Sequence, residues 1–343
     1  MSAPAPTVAE LAQRYGLELR GAGAARIDGV AALHDAGPAQ LSFLANPQYR
    51  ARLRETRAAA VVLRDADAAG CPVPALVSRN PYADFARIAA LYESRPAAPA
   101  GVHASAVLAP DAVVEAGASI GPLCVVGARS RIAAGAEIGP GCVIGHDCVV
   151  GAHSRLVARV TLVARVVLGQ RVLVHPGAVL GADGFGLAMD AGHWLKVPQL
   201  GGVQVGDDCE IGANTTIDRG ALGDTVLEED VRLDNQVQIG HNCRIGAHTA
   251  MAGCVGVAGS TTIGKYCLVA GAAGISGHLT ICDKVTISAM TMVIRNITEP
   301  GEYSSGLPMQ DNRSWKRNIA RFRHLDEIVR KLLPRQRDPD HDE

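Results

Sequence analysis

Residues 102–150 read VHASAVLAPDAVVEAGASIGPLCVVGARSRIAAGAEIGPGCVIGHDCVV, and every sixth residue, beginning with Val102, is aliphatic. The series Val102, Leu108, Val114, Ile120, Val126, Ile132 continues without a miss through Val174 to Leu180. A glycine often follows directly, as at Gly121, Gly127, Gly139 and Gly145, and the residue four places on is usually small, as at Ala106, Ala112, Ala118 and Cys124. A period of six fits neither an amphipathic helix nor a simple alternating strand, so it marks an internal repeat. Short strands separated by corners coil into a parallel β-helix with three hexads, or eighteen residues, in each coil.

Beyond Leu180 the frame breaks. Residues 182–204 carry Phe185, His193, Trp194 and Lys196, which no narrow aliphatic core can hold, and they read as an insertion looping out of a coil. The frame resumes at Val205, Ile211 and Ile217, skips over a second, smaller loop at another corner (218–226), and runs from Leu227 to Val293. Twenty-nine hexads make nearly ten coils. Fully burying a Val, Leu or Ile is worth roughly 1.5 to 3 kcal/mol, so such a column sustains a core in a chain with only 3% aromatic residues.

Three domains follow: an N-terminal α/β domain over 1–100, the β-helix over 101–295, and a C-terminal helical extension over 296–343 with a disordered tail after Pro334. In the first, Thr7 and Glu10 form a capping-box signature, Ala58 to Leu63 and Pro74 to Val77 read as strands, and a helix is expected around Asp84 to Tyr92. In the last, a helix from about Arg313 to Leu333 carries apolar Ile319, Phe322, Leu325, Ile328, Leu332 and Leu333. Its other face is basic, with nine Lys or Arg between 313 and 337, including Arg335 and Arg337, against Asp326 and Glu327.

A formal net charge of −1 gives the whole molecule no general attraction to nucleic acid or anionic membranes. No apolar run approaches eighteen residues and the first residues lack a signal-peptide pattern, so a cytoplasmic protein without a transmembrane segment is expected. Of nine cysteines, Cys124, Cys142, Cys148, Cys209, Cys243 and Cys267 fall four residues after a hexad aliphatic and read as core filler. No CxxC pair occurs, and no three histidines converge by spacing, so neither disulfides nor a metal site is expected.

Chemistry concentrates in LDNQVQIGHN. His241 stands two residues after Ile239, at a corner and not inside, among Asp234, Asn235, Gln236, Gln238 and Asn242. A corner histidine can face a cleft and exchange protons near neutral pH. Gly259 lies one coil on along the same edge, where its N–H can serve an oxyanion, and His278 lies two coils plus one residue on. In LSFLANPQY, Phe43 and Tyr49 flank Asn46; the rings can sandwich a flat heterocycle while the amide reads its edge, or pack into the domain's own core.

LSFLANPQY, GADGFG with WLKVPQLG, TTIDRGAL, DNQVQIGHN, ISGHLTICDKV and EPGEYSSGLP together resemble the UDP-3-O-acylglucosamine N-acyltransferase family of lipid A biosynthesis, over essentially the whole chain. The resemblance implies a left-handed β-helix, an exception to right-handed crossovers that spacing does not reveal. It further implies a homotrimer with active sites between subunits. The implied reaction transfers an (R)-3-hydroxyacyl chain from acyl carrier protein to the 2-amine of UDP-3-O-(3-hydroxyacyl)-glucosamine, without a cofactor beyond the phosphopantetheine of the donor. By resemblance His241 is the base and His278 an assisting group; Asp234, seven residues before His241, can orient and polarise it or act only locally. Phe43, Asn46 and Tyr49 match a uracil clamp, Met290 and Met292 lie where the acyl groove runs, and the basic helix suits the acidic carrier protein. Two readings compete. One is an O-acyl or acetyl-CoA-dependent transferase on another sugar nucleotide; the other is a non-catalytic trimeric β-helix that binds sugar nucleotides.

Overall fold

A computed structural model of the chain describes residues 4–96, 98–306 and 309–332. The chain divides into two compact units between Ala97 and Ala98. In the first, the capping box forms as its residues dictate: the Glu10 N–H donates to Thr7 Oγ1 and the Thr7 N–H to Glu10 Oε2, opening the helix Val8–Tyr15. A five-stranded sheet contains Gln40–Leu44, Ala60–Leu63 and Ala75–Val77 side by side in parallel. The expected helix near Asp84 starts earlier, at Pro81, because Asn80 caps it and proline is preorganised at its first position; it runs to Ala89.

The second unit is the β-helix. Three sheets of ten, nine and eleven parallel strands form its sides. Sheet 1 runs from Val107–Leu108 to Met292–Val293, sheet 2 from Val113–Val114 to Thr280–Ile281, and sheet 3 from Gly101–Val102 to Gly301–Tyr303. Register partners are eighteen residues apart where no loop intervenes, as in Val126 with Ile144 and Ile132 with Val150. The hexad aliphatics stack inward, and Cys124, Cys142, Cys148, Cys209, Cys243 and Cys267 are all buried among them, as their spacing required. Burial pushes the thiols of Cys142, Cys209 and Cys243 up to about 11. The inward column is incomplete at its start: Val102 is 47% exposed, since the first coil has a neighbouring coil on one side only.

Two backbone devices make the corners. Directly after the aliphatic, a glycine allows close approach of the next coil; a Cβ on Gly145 would stand 1.7 Å from the Val163 carbonyl oxygen. Three residues after the aliphatic, the chain adopts positive φ even at bulky residues such as Leu123, Arg129, Asp147 and Asn242. That conformation costs roughly 1–2 kcal/mol at a non-glycine residue. It turns the N–H onto the preceding coil, as in Asp147 to the Ala128 oxygen and His278 to the Gly259 oxygen, both 3.0 Å.

The C-terminal helix is broken in two, Asn312–Arg323 and Leu325–Leu332. His324 lies between them, its N–H shared by the Arg321 and Phe322 carbonyls, which closes the first helix. Asp326 and Glu327 then fall in the first turn of the second, where acidic groups favour a new N-terminus. Leu333, Arg335, Arg337 and the tail after Pro334 lie outside the described residues. Among the described residues no helix is long and apolar enough to cross a membrane.

Candidate active site on one edge of the β-helix

The edge between sheets 1 and 2 gathers nearly every irregularity of the coil. The insertion leaves sheet 1 after Val179–Ala182 and returns to sheet 2 at Val203–Val205. The smaller loop leaves sheet 1 after Thr216–Asp218 and returns to sheet 2 at Thr225–Leu227. It therefore stands on the same edge as the insertion, one coil on, and not at another corner as expected. His241 turns that edge on the following coil, with Gly259 and His278 on the next two.

The insertion forms an antiparallel hairpin, Leu187–Asp190 with His193–Lys196, whose eight strand residues are all exposed. Asp183 and Lys196 form an ion pair at its base, and Phe185 is 86% exposed. Gly184 brings this base against the histidine: a Cβ there would lie 2.6 Å from His241 Cβ. On its other side the imidazole covers Gly259, where a Cβ would lie 2.6 Å from Nε2. Only glycine backbone fits on either side of this ring.

His241 is half-buried, and its Nδ1 is 3.0 Å from Asn242 Oδ1. Asn242 is itself bound on three sides. Its Oδ1 accepts the Ala221 N–H at 2.9 Å, its Nδ2 donates to the Gly223 oxygen at 3.0 Å, and its own N–H donates to Thr225 Oγ1 at 2.8 Å. Nε2 has no hydrogen-bond partner among the described residues, and neither has the Gly259 N–H. The arrangement leaves a lone imidazole nitrogen and a lone backbone donor side by side on an open edge, a pairing suited to deprotonating a nucleophile and holding an oxyanion.

Asp234 is not brought to this histidine within the chain. It follows Arg232–Leu233 of sheet 3 and so stands at the edge between sheets 3 and 1, the far end of one side of the coil, where its Oδ1 accepts the Asn235 N–H at 2.7 Å. The acidic group near His241 is Asp218, on the coil before. Its Oδ2 accepts from Gln238 Nε2 at 3.0 Å, and the Gln238 side-chain Oε1 in turn accepts from the Thr216 hydroxyl. Burial raises the Asp218 carboxyl above its ordinary range, opposed by the Gln238 hydrogen bond and the His241 charge. His278 is exposed on the same edge at φ 60°, one residue past the position matching Gly259. Among the described residues no cluster of three His, Cys, Asp or Glu side chains is placed to hold a metal ion.

A groove of about 460 Å³ opens beside this edge on the outer face of sheet 1, lined by Gln238, Gly256, Ala258, Gly274, Ser276 and Met292. The outward position of successive strands reads Val107, Val125, Val143, Thr161, Val179, Thr216, Gln238, then Gly256 and Gly274, then Met292. A Cβ at either glycine would meet nothing within 4 Å, so nothing in the chain itself demands them. Glycine in mid-strand is destabilising by roughly 0.5–1 kcal/mol relative to alanine, and it marks close approach of something else. Met292 closes the far end of the groove, while Met290 is exposed at the preceding corner.

In the N-terminal unit, Phe43 projects from Gln40–Leu44 and stacks on Phe85 at 4.2 Å between centroids, with Tyr82 at 5.4 Å. One side of its ring thus packs against the domain core. Asn46 Oδ1 caps the turn by accepting the Gln48 N–H at 3.0 Å. Tyr49 is 51% exposed, with the Arg52 guanidinium 5.9 Å from its ring centre.

Sequence spacing singled out His241, Gly259 and His278 on this edge and named Asn242 only as a polar neighbour, but missed Gly184 and Asp218. The outward glycines at 256 and 274 were visible as a break in an eighteen-residue column of β-formers.

A parallel β-helix built of such hexad coils places the chain in the class of hexapeptide-repeat transferases. Residues 124–162 match the bacterial transferase hexapeptide model and residues 197–219 the hexapeptide repeat of succinyl-transferase. Residues 24–91 match the model of UDP-3-O-(3-hydroxymyristoyl) glucosamine N-acyltransferase. The chain is 61% identical over 327 residues to a UDP-3-O-acylglucosamine N-acyltransferase of Xanthomonas axonopodis pv. citri, covering 95% of this chain and 97% of that one. It is 52% identical over 332 residues to the enzyme of that name in Pseudomonas aeruginosa, covering 97% and 94%. A crystal structure of the UDP-N-acetylglucosamine O-acyltransferase from Moraxella catarrhalis matches 67% of this chain and 83% of that one at 22% identity and a TM-score of 0.48. The chain belongs to the UDP-3-O-acylglucosamine N-acyltransferase family and is an acyltransferase.

Proposed function

We propose that the protein transfers an (R)-3-hydroxyacyl chain from acyl carrier protein to the 2-amine of UDP-3-O-(3-hydroxyacyl)-glucosamine, with His241 as general base. The observation that carries this reading is the unpartnered His241 Nε2 beside the unpartnered Gly259 N–H, at the mouth of a glycine-floored groove. The amine attacks the thioester carbonyl carbon and the C–N bond forms as the π electrons move to oxygen. The amine proton passes to Nε2, and the Gly259 N–H, assisted by His278, meets the oxyanion. Collapse breaks the C–S bond, and the imidazolium returns its proton to the departing thiolate. No cofactor enters, since the phosphopantetheine belongs to the donor.

The acyl chain lies in the groove over Gly256 and Gly274 toward Met292, with Met290 at its rim. Phe43, Asn46 and Tyr49 hold the uracil, with Tyr49 supplying the exposed ring. Arg313, Lys316, Arg317, Arg321, Arg323, Arg330 and Lys331 are exposed on the two terminal helices and meet the acidic carrier protein. Three copies complete the sites, and Asp234 acts at the subunit boundary.

H241A should reduce transfer from acyl carrier protein by a factor of about 10² to 10⁴; equal rates in mutant and wild type would sink the mechanism. F43A should raise the acceptor Kd, and unchanged affinity would remove the clamp. Turnover with acetyl-CoA would favour the runner-up transferase, and absence of any turnover the binding protein. Light scattering should return three times 35.6 kDa.

A further inference from the structure

We propose that Asn242 is a positioning residue that holds neutral His241 as its Nδ1–H tautomer, and that the loop 219–224 serves the reaction by holding Asn242. The inference rests on the assignment of His241 as base. Neutral imidazole carries one proton on either nitrogen, and a free ring in water favours Nε2, which would leave the wrong nitrogen facing the groove. The hydrogen-bond pattern around Asn242 removes the choice.

The orientation of the Asn242 amide is fixed by partners that have no freedom themselves. The Ala221 backbone N–H only donates, so the atom 2.9 Å from it is the amide oxygen. The Gly223 carbonyl only accepts, so the atom 3.0 Å from it is the amide nitrogen. The oxygen that receives the Ala221 N–H is the same atom that lies 3.0 Å from His241 Nδ1. An amide oxygen has no proton to give, so Nδ1 must supply one. Nε2 is then the lone-pair nitrogen, and it is the one that stands over Gly259.

The loop braces the base of the hairpin insertion through Arg219 and Asp224, and its tip turns to Asn242. Thr225 Oγ1 takes the Asn242 N–H at 2.8 Å, Ala221 and Gly223 grip its side chain, and the Asn242 backbone sits at φ 60°. A neutral amide suits this position, because it directs the proton without adding a negative charge beside the ring. The charged groups around the site are Asp218 from the coil before, Arg219 bonded to the Gly201 oxygen, the Asp183–Lys196 pair of the hairpin, Asp224 bonded to the Gly202 N–H, and His278 further along the edge. None of these carboxylates is hydrogen-bonded to the His241 ring.

The test is nitrogen-15 NMR of the full-length protein labelled at histidine, with the His241 signals assigned by their loss in H241N, combined with steady-state kinetics. Wild-type His241 at high pH should show a protonated Nδ1 and an unprotonated Nε2. N242A should move the proton to Nε2 and lower kcat roughly ten- to a thousandfold with both KM values unchanged. N242D keeps an acceptor for Nδ1–H and should retain the wild-type tautomer. A wild-type spectrum with the proton on Nε2 overturns the inference, as does N242A with wild-type kcat. The wild-type spectrum needs no mutant to fold. Full activity in H241A would overturn the assigned base and leave the tautomer measurement standing, so the two failures are distinct.

Discussion

Gly259→Ala isolates the geometry of the base from the stability of the coil. Gly259 does not adopt positive φ, so alanine meets no backbone strain, and the new Cβ would clash only with the His241 ring, at 2.6 Å from Nε2, 2.9 Å from Cε1 and 3.0 Å from Cδ2. The ring must retreat by several tenths of an ångström. Retreat loosens the 3.0 Å contact to Asn242, worth about 0.5–1.5 kcal/mol, and turns the side chain off its rotamer at about 0.5–1.5 kcal/mol. The sum, about 1–3 kcal/mol, corresponds to a fall in kcat of roughly 5- to 160-fold. The assay is acyl transfer from acyl carrier protein to the UDP-acylglucosamine acceptor, with a melting curve beside it. Gly256→Ala is the companion variant: its Cβ meets nothing within 4 Å, so it should melt at or above the wild-type temperature and raise KM for the donor instead. G259A with kcat within twofold of wild type and an unchanged melting temperature would refute the reasoning.

Gly145→Ala should be far more damaging to the fold than G259A, because its Cβ would stand 1.7 Å from a backbone oxygen that cannot swing away; a loss of about 3 kcal/mol or more is expected by denaturant unfolding. Alkylation at pH 8 should label exposed Cys254 first, while Cys142, Cys209 and Cys243, with thiols pushed up to about 11, resist until the protein unfolds. Asp218→Asn should raise the melting temperature at pH 7. The raised carboxyl makes the folded state the better proton binder, so wild-type stability falls as pH rises from about 4 through the raised value. The advantage of the variant should close below about pH 4, and a lower melting temperature at pH 7 would contradict the sign.

The hexads made the coil legible because each inward aliphatic reports its own burial, and the cysteines four places on follow the same frame. The corner conformation at positions such as Leu123 and Arg129 was hidden, since a residue in the left-handed region there is held by a coil-to-coil hydrogen bond and not by its side chain. The two loops were assigned to different corners because counting loses register across an insertion; only the pairing of Leu180 with Ile217 and of Ile217 with Ile239 restores it. Asp234 looked like the partner of His241 because it is seven residues away, whereas seven residues here traverse a whole side of the prism. The adjacent Asn242 was the real contact, legible only once the loop holding it was placed.

Stacked strands repeat about every 4.7–4.9 Å, so the outward residues of sheet 1 form a graduated scale with His241 near its zero. Met292 lies three strands on from Gln238, through Gly256 and Gly274, a distance of about 14 Å. Because each coil is a closed unit, gaining or losing eighteen residues between those marks would shift the far stop by one division and leave the base, its amide partner and the loop where they are. Dimension and reactivity are thus separately adjustable in this architecture, one by the number of coils and the other by the residues on a single turn.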